Sequence, residues 1–263
     1  FAQMFTNNNK YSNMPVRYDI IAFLGEDLTK SKEVHFLKAI KESYNITECS
    51  DNNVICSMGM YGFHHSVFDY LEEELIIAGL TKVKDAYGEI IETMFNQKVI
   101  VPTRPFPRIK LNDLYKELEK RYNYNIPTED IGDMNAETEK LTSRFAMEEY
   151  GHEFIFVTDF SPKKRAFYHM RKDGIPQGYD LIWKGVEITT GAQREHRYEE
   201  LKRQAEEKGL GEDVKFYLEF FKYGCPAHGG FALGVDRMTM LLLGMPNLKE
   251  TMFLFRGPNR ITP

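Results

Sequence analysis

Two spacings of apolar residues recur along the chain, and the switch between them marks its elements. Phe154-Ile155-Phe156-Val157 is a continuous apolar run, the pattern of a strand buried on both sides. Tyr179 to Trp183 and Val186 to Thr190 are two more strand-like runs, separated only by Lys184-Gly185, a two-residue turn of the kind that joins antiparallel strands. Elsewhere the spacing is helical. Phe68, Leu71, Leu75 and Ala78 fall on one helix face, which leaves Glu72-Glu73-Glu74 as its expected solvated side. Leu114, Leu118 and Tyr122 predict a helix capped by Asn112, and Leu141 and Phe145 one that Asn135 opens and Gly151 stops. A further helix is predicted from Glu195 to Lys208, with Tyr198, Leu201 and Ala205 facing a core and Gly209 as its stop. Phe231-Ala232-Leu233 then enters Gly234, and Met238, Leu241, Leu242 and Met245 share one face of the helix that follows.

The first hundred residues carry a weaker pattern. Ile20 to Leu24 reads as a buried strand, and Ser31 to Tyr44 as a helix bearing Val34, Leu37 and Ile40. Val99 to Pro107 is punctuated by proline, which cannot donate to a central ladder, so it reads as an extended edge or linker and a soft boundary. Strands joined by a hairpin, with helices between, predict an α+β fold: an antiparallel sheet flanked by helices.

Composition narrows the function classes. Against 39 acidic side chains stand 34 basic ones in 263 residues, a net charge of −5, which argues against a basic coat for nucleic acid. No apolar run approaches the ~18 to 20 residues of a spanning helix, so no membrane partner is expected and the chain reads as soluble. Cys49, Cys56 and Cys225 are too few for a disulfide scaffold and too scattered for a tetrahedral zinc site, which predicts reduced thiols and a cytoplasmic setting.

Two stretches carry chemistry. Gly229 to Arg237 is a glycine-rich strand that runs into a helix with an arginine in its first turn; free amides at a helix start attract phosphate, and Arg237 adds a charged fork or a planar face for a base. The glycine spacing excludes the dinucleotide fingerprint. The alternative is close strand–helix packing beside a solvated Arg237. The second stretch is Val186 to Arg197. Glu187 and the Thr190 hydroxyl are hard oxygen donors suited to Mg²⁺ together with phosphate oxygens, Gly191 is expected to bend the chain, and Arg194, at the start of the next helix, suits a carboxylate. The alternative is a surface ion pair of Glu187 with Arg194 or Arg197. His196 reads as a support more readily than a general base, His228 as a residue that positions a ligand, and Asp180 as a supporting acid at the opening of the hairpin.

Together these stretches resemble class II aminoacyl-tRNA synthetases of the aspartate/asparagine subgroup, in the archaeal-type branch, closely from about Pro105 to Pro263. Gly230 to Arg237 matches the family's third, ATP-binding motif; Tyr179-Asp180-Leu181, Glu187 and Gly191 to Arg197 match its amino-acid pocket; Arg260 to Pro263 matches its C-terminal end. Residues 66–108 look like the family's preceding helix and linker. The first 65 residues depart from the pattern, with no recognisable anticodon-binding barrel or first and second motifs, and Met58 to Phe63 lacks the two acids that the family places before a Gly-Phe pair.

The resemblance implies a divergent or incomplete part of the core over residues 1–65 and a class II synthetase-like catalytic domain over 66–263. It implies Arg237 and Glu187 as catalytic residues and Mg²⁺ on Glu187 and Thr190. ATP would lie against Glu187, Gly234, Val235, Asp236 and Arg237, and the substrate against Arg194, Thr190, Gln193 and His228. The implied reaction is ATP-dependent activation of L-aspartate and transfer to tRNA for aspartate or asparagine, by a homodimeric ligase of protein biosynthesis. The aspartate branch is favoured because the asparagine branch carries an acid where His196 stands. Two alternatives stay open: a tRNA-independent paralogue that adenylates aspartate for a small acceptor such as ammonia, and a catalytically silent regulatory relative.

Overall fold

Among the described residues a five-stranded sheet carries the fold, its strands in spatial order Arg108–Lys110, Phe154–Thr158, Gly178–Trp183, Val186–Arg194 and His228–Leu233. The structure, a computed structural model, describes residues 65–252 and 255–257. In chain order these form helix α1 (His65–Phe95), strand β1 (Arg108–Lys110), α2 (Leu111–Tyr122), α3 (Ala136–Tyr150) and β2 (Phe154–Thr158). A small hairpin of β3 (Arg171–Lys172) and β4 (Ile175–Pro176) precedes β5 (Gly178–Trp183) and β6 (Val186–Arg194). Then come α4 (Tyr198–Glu207), α5 (Lys215–Lys222), β7 (His228–Leu233) and α6 (Val235–Leu243). Only β1 and β2 pair in parallel; the rest of the sheet is antiparallel, as expected. The expected strand at Ile20–Leu24, the helix over Ser31–Tyr44, the departure at Met58–Phe63 and the match at Arg260–Pro263 lie outside the described residues.

The β5–β6 hairpin turns on Lys184 and Gly185, with φ of 48° and 82°, the positive pair that a two-residue connection between twisted strands requires. On one sheet face Phe154, Phe156, Tyr179, Leu181, Trp183 and Ile188 form a core with Ile76, Leu80 and Ile91 of α1 and Met238, Leu241 and Leu242 of α6. Phe154 stacks on Trp183 with ring centres 5.0 Å apart, and Tyr179 meets Phe156 edge-on at 5.3 Å. On the other face Ile155, Val157 and Ile182 pack against Leu111, Leu114 and Leu118 of α2 and Phe145 and Ala146 of α3. A third cluster joins α4 and α5 through Leu201, Ala205, Leu218 and Phe221 to Phe167.

Several boundaries and faces differ from the sequence pattern. The buried stripe of α1 is that of Ile76 and Leu80, and Glu72, one turn before Ile76, shares it: Glu72 is 0% and Glu73 7% exposed, and the expected solvated face is inside. Glu73 accepts the Phe106 amide at 3.1 Å and Glu74 pairs with Arg104 at 2.7 Å, so the acidic run ties α1 to the proline-rich segment. Asn112 is not a cap, since α2 begins at Leu111 after Lys110, whereas Asn135 caps α3 by accepting from the Thr138 amide at 2.9 Å. Gly191 bends nothing. Strand β6 runs through it to Arg194, and its missing side chain admits the Tyr179 ring, because a Cβ there would lie 2.3 Å from Tyr179 Cζ. Arg194 therefore ends a strand, and extended pairing continues past it, with the Glu195 amide bonded to the Tyr168 carbonyl at 2.8 Å, so α4 starts only at Tyr198.

Candidate active site

Strand alternation by itself would place Glu187 and Thr190, three residues apart, on opposite faces. A register shift prevents this. Thr189 faces Leu181 while Glu187 faces Ile182, so Ile188 is an extra residue in β6. The bulge turns Ile188 into the aromatic core and leaves Glu187 on the same face as Asp180 and Thr190, which pair across the strands. This face is covered by α2 and α3 beside β2 and β5, and opens beside β6 and β7.

The open part holds a tight polar set. Asp180, 2% exposed, is ion-paired with Arg165 and accepts from Thr190 Oγ1 at 2.9 Å. Burial pushes the Asp180 carboxyl up to about 6, and the Arg165 charge opposes that shift. Thr190 donates its proton to Asp180, so its oxygen lone pairs remain for a cation. Arg237, entering from α6, donates through Nη1 to the Glu187 carbonyl at 2.5 Å and lies 3.2 Å from Glu187 Oε1. The Glu187 amide donates to Glu139 Oε2 of α3 at 2.9 Å. The Glu139 carboxyl is raised above its usual value by burial first and by the Glu187 charge besides. The carboxylates of Glu139, Asp180 and Glu187 thus outnumber the guanidiniums of Arg165 and Arg237, which favours a cation.

Arg194 stands at the other end of this face. Its guanidinium lies over the Tyr168 ring at 4.7 Å and makes no hydrogen bond or ion pair with any described residue. His169, bridged to Arg194 through the backbone, packs so closely on Gly178 that a Cβ there would lie 2.9 Å from its Nδ1. Burial, then the charges of Arg194 and Arg165, push the His169 imidazole down to about 3, so it is neutral. His228 faces Arg194 across β6 and β7, with Nδ1 3.0 Å from the Pro226 carbonyl. Alternation puts Gln193 on the opposite face from Arg194. His196 follows the end of β6, its Nδ1 buried without a described partner, and Arg197 is held by Glu195 through Nε at 2.9 Å and Nη2 at 2.8 Å. Neither Arg194 nor Arg197 is the ion-pair partner of Glu187; that partner is Arg237.

The junction of β7 with α6, where a nucleotide is expected, is shaped by small residues. A Cβ on Gly234 would approach the Ile188 carbonyl to 3.2 Å, and the Gly234 amide bonds that carbonyl at 2.7 Å, which sets the close junction of β7 with α6. The first turn of α6, with Val235, Asp236 and Arg237, has no side-chain cap, so its amides are available to an anion. Above Gly230 nothing lies within 4 Å of a Cβ position. That leaves open space over the strand opposite Ala192. Among the described residues no group of three or more His, Cys, Asp or Glu can hold a metal, and the oxygens of Glu187 and Thr190 suit a cation that brings phosphate ligands with it.

Residues 60–256 match the model of the class II tRNA synthetases of the D, K and N type. The chain belongs to that family. Among its relatives is an aspartate–tRNA(Asp/Asn) ligase of Aeropyrum pernix, 34% identical over 235 residues, which cover 88% of this chain and 47% of that protein. An aspartate–tRNA(Asp) ligase of Pyrococcus furiosus is 36% identical over 201 residues, 75% of this chain and 45% of the relative. Solved structures agree: an aspartyl-tRNA synthetase from Entamoeba histolytica superposes with a TM-score of 0.65 at 26% identity, covering 82% of this chain and 43% of that one. An asparaginyl-tRNA synthetase from the same organism, in complex with asparaginyl-adenylate, gives 0.65 at 28% identity, with 76% and 46% covered. The chain spans about half the length of the curated relatives it matches. Arg165, Tyr168 and His169, in the segment after β2, and Glu139, on α3, join the site without having stood out in the sequence. The first three lie where no periodicity singles them out, and Glu139 is one of several charges on a helix read from its apolar residues.

Proposed function

We propose that this chain carries the catalytic core of an enzyme that activates L-aspartate with ATP and passes the aspartyl group to tRNA for aspartate or asparagine. The observation that carries this reading is Arg194: a half-buried guanidinium held on Tyr168, unpaired among described residues, on the same sheet face as Glu187, which Arg237 contacts from α6. It offers two parallel hydrogen bonds to a side-chain carboxylate. An α-carboxylate oxygen of aspartate then attacks the α-phosphorus of ATP, a new carboxyl–phosphorus linkage forms and pyrophosphate leaves; a tRNA hydroxyl next attacks the carbonyl carbon and AMP leaves. Arg237 and the first amides of α6 receive phosphate charge, and His228 and the neutral His169 border the amino acid. Mg²⁺ would bind Glu187 and Thr190 and supply charge neutralisation for the phosphates. Catalysis on this reading is positioning and electrostatics without a covalent protein nucleophile. Residues 66–263 are the catalytic domain, working as a cytoplasmic homodimer; no helix among the described residues is long and apolar enough to cross a membrane.

ATP–pyrophosphate exchange tests the reading. Exchange should require aspartate, fail with asparagine, and release AMP when tRNA is added but not when ammonia is. Glu187→Gln should raise the Mg²⁺ concentration for half-maximal exchange far more than the aspartate requirement. Exchange indifferent to aspartate, or none at all, would overturn the assignment, and ammonia-dependent turnover would move it to the small-acceptor alternative.

A further inference from the structure

The bulge that aligns Glu187 with Thr190 and Asp180 has a price in backbone pairing, and the structure shows who meets it. The ladder to β7 stops at Thr189 opposite Leu233, so Glu187 lies beyond its end. Its carbonyl goes to Arg237, and its amide goes to the Glu139 carboxylate at 2.9 Å, a side chain 48 residues away in sequence on another layer of the fold. One turn further along the same helix, Ser143 Oγ accepts the Gly185 amide at 2.6 Å. The Gly185 turn sits so close to α3 that a Cβ there would lie 3.2 Å from Lys140 Cα. Helix α3 thus grips the hairpin twice, at its turn through Ser143 and at its bulge through Glu139.

The two grips are not equivalent. Ser143 is neutral and touches the turn, remote from Thr190 and Asp180. Glu139 is a carboxylate whose partner is the backbone of the very residue that would hold the metal, and its charge adds to the fields of Glu187 and Asp180. We infer that Glu139 is a positioning residue of the metal–nucleotide site: it pins the β6 bulge, so that Glu187 and Thr190 present their oxygens to one cation. Without it the Glu187 amide has no described acceptor, and β6 is free to recover regular alternation by carrying Glu187 away from Thr190. The inference rests on the metal reading of Glu187 proposed above.

The test uses the full chain, Mn²⁺ in place of Mg²⁺, and α,β-methylene ATP, which cannot release pyrophosphate. Mn²⁺ bound in the presence of the analogue is counted by electron paramagnetic resonance, and exchange of the Glu187 amide proton is followed separately. Glu139→Ala should weaken nucleotide-dependent Mn²⁺ binding by about tenfold or more, the range seen when a residue that orients a metal ligand is lost, and should expose the Glu187 amide to exchange. Glu139→Gln keeps an oxygen acceptor and should restore amide protection with most of the affinity. Ser143→Ala, a control at the other grip, should stay within about threefold of wild type. Amide protection lost in Glu139→Ala with Mn²⁺ affinity unchanged would overturn the inference alone. A wild-type protein with no nucleotide-dependent Mn²⁺ site would overturn the metal reading of Glu187 and the role of Glu139 with it.

Discussion

Strands β5 and β6 are joined by a two-residue turn and yet do different work. Every residue of β5 is buried, including Asp180, and both of its faces are covered, by α1 and α6 on one side and by α2 and α3 on the other. Strand β6 is half-buried at both ends and at Thr190, with buried pairs between, and β7 beyond it is half-exposed almost throughout. The first pair of layers is a packing problem solved by Phe154, Trp183, Phe156 and Leu181. The second is a surface on which charged groups are aimed, with small residues, Gly178, Ala192 and Gly230, left between them. One sheet therefore holds a rigid half that fixes the backbone and an open half that spends this rigidity on placing side chains.

The largest expected effect lies in the rigid half. Phe154→Ala removes a ring stacked on Trp183 and packed beside Phe106, and should cost about 4 kcal/mol of stability in a urea titration. A loss below about 1 kcal/mol would mean that this face is not the structural one. Next is Arg194→Leu in the open half, which should weaken aspartate activation by about 3 kcal/mol, roughly a hundredfold or more, with ATP affinity nearly intact. Equal loss of ATP binding would make Arg194 a structural residue and blur the contrast. Arg237→Ala should weaken ATP binding by about 2 kcal/mol, roughly thirtyfold, and leave the melting temperature close to that of wild type. An exposed pair with Glu187 has little stability to lose.

The smallest expected effect per step is a pH dependence that sharpens the border between the halves. His169, buried against Gly178, titrates near 3 when folded against an ordinary value of 6.5. On acidification through 6.5 the unfolded chain takes up a proton that the folded one refuses, so the His169 contribution is present above 6.5 and lost as pH falls toward 3. The slope is at most about 1.4 kcal/mol per pH unit. His169→Asn should flatten this acid limb relative to wild type; parallel limbs in the two proteins would show that the imidazole takes up its proton as readily in the folded chain as in the unfolded one.

The rigid half was more legible in sequence than the open one. Continuous apolar runs and a Lys184-Gly185 turn announce β2, β5 and β6, and a glycine-rich strand entering a helix announces β7 and α6, because these patterns are local. The charge-bearing residues Glu187, Arg194 and Arg237 stand out in the sequence by residue type, and the structure brings Glu187 and Arg237 together while Arg194 lies over Tyr168. What stayed hidden depends on contacts between distant segments. The β6 bulge has no signature in Val186-Glu187-Ile188, since it arises from pairing with β5 on one side and Glu139 on the other. Arg165 and His169 look like members of a charged loop until Asp180 and Gly178 are brought to them. The buried face of α1 departs from its apolar pattern because Glu72 and Glu73 look solvated in a helix, while Phe106, 33 residues on from Glu73, supplies the amide that keeps one of them inside.

Trp183 is the only tryptophan in the sequence, and its indole donates to Glu153 at 3.1 Å while its ring lies on Phe154. Its fluorescence is consequently a built-in reporter of the turn end of the hairpin, remote from the groups at the far end of β6. On the proposed reading, ligand binding would instead draw on Glu139, Arg165, Glu187, Arg194 and Arg237, gathered from across the chain, and would register only the finished arrangement. Refolding followed by both signals from one sample has two clocks. The interval between recovery of tryptophan emission and recovery of nucleotide binding measures how long the open half takes to settle once the sheet beneath it has formed.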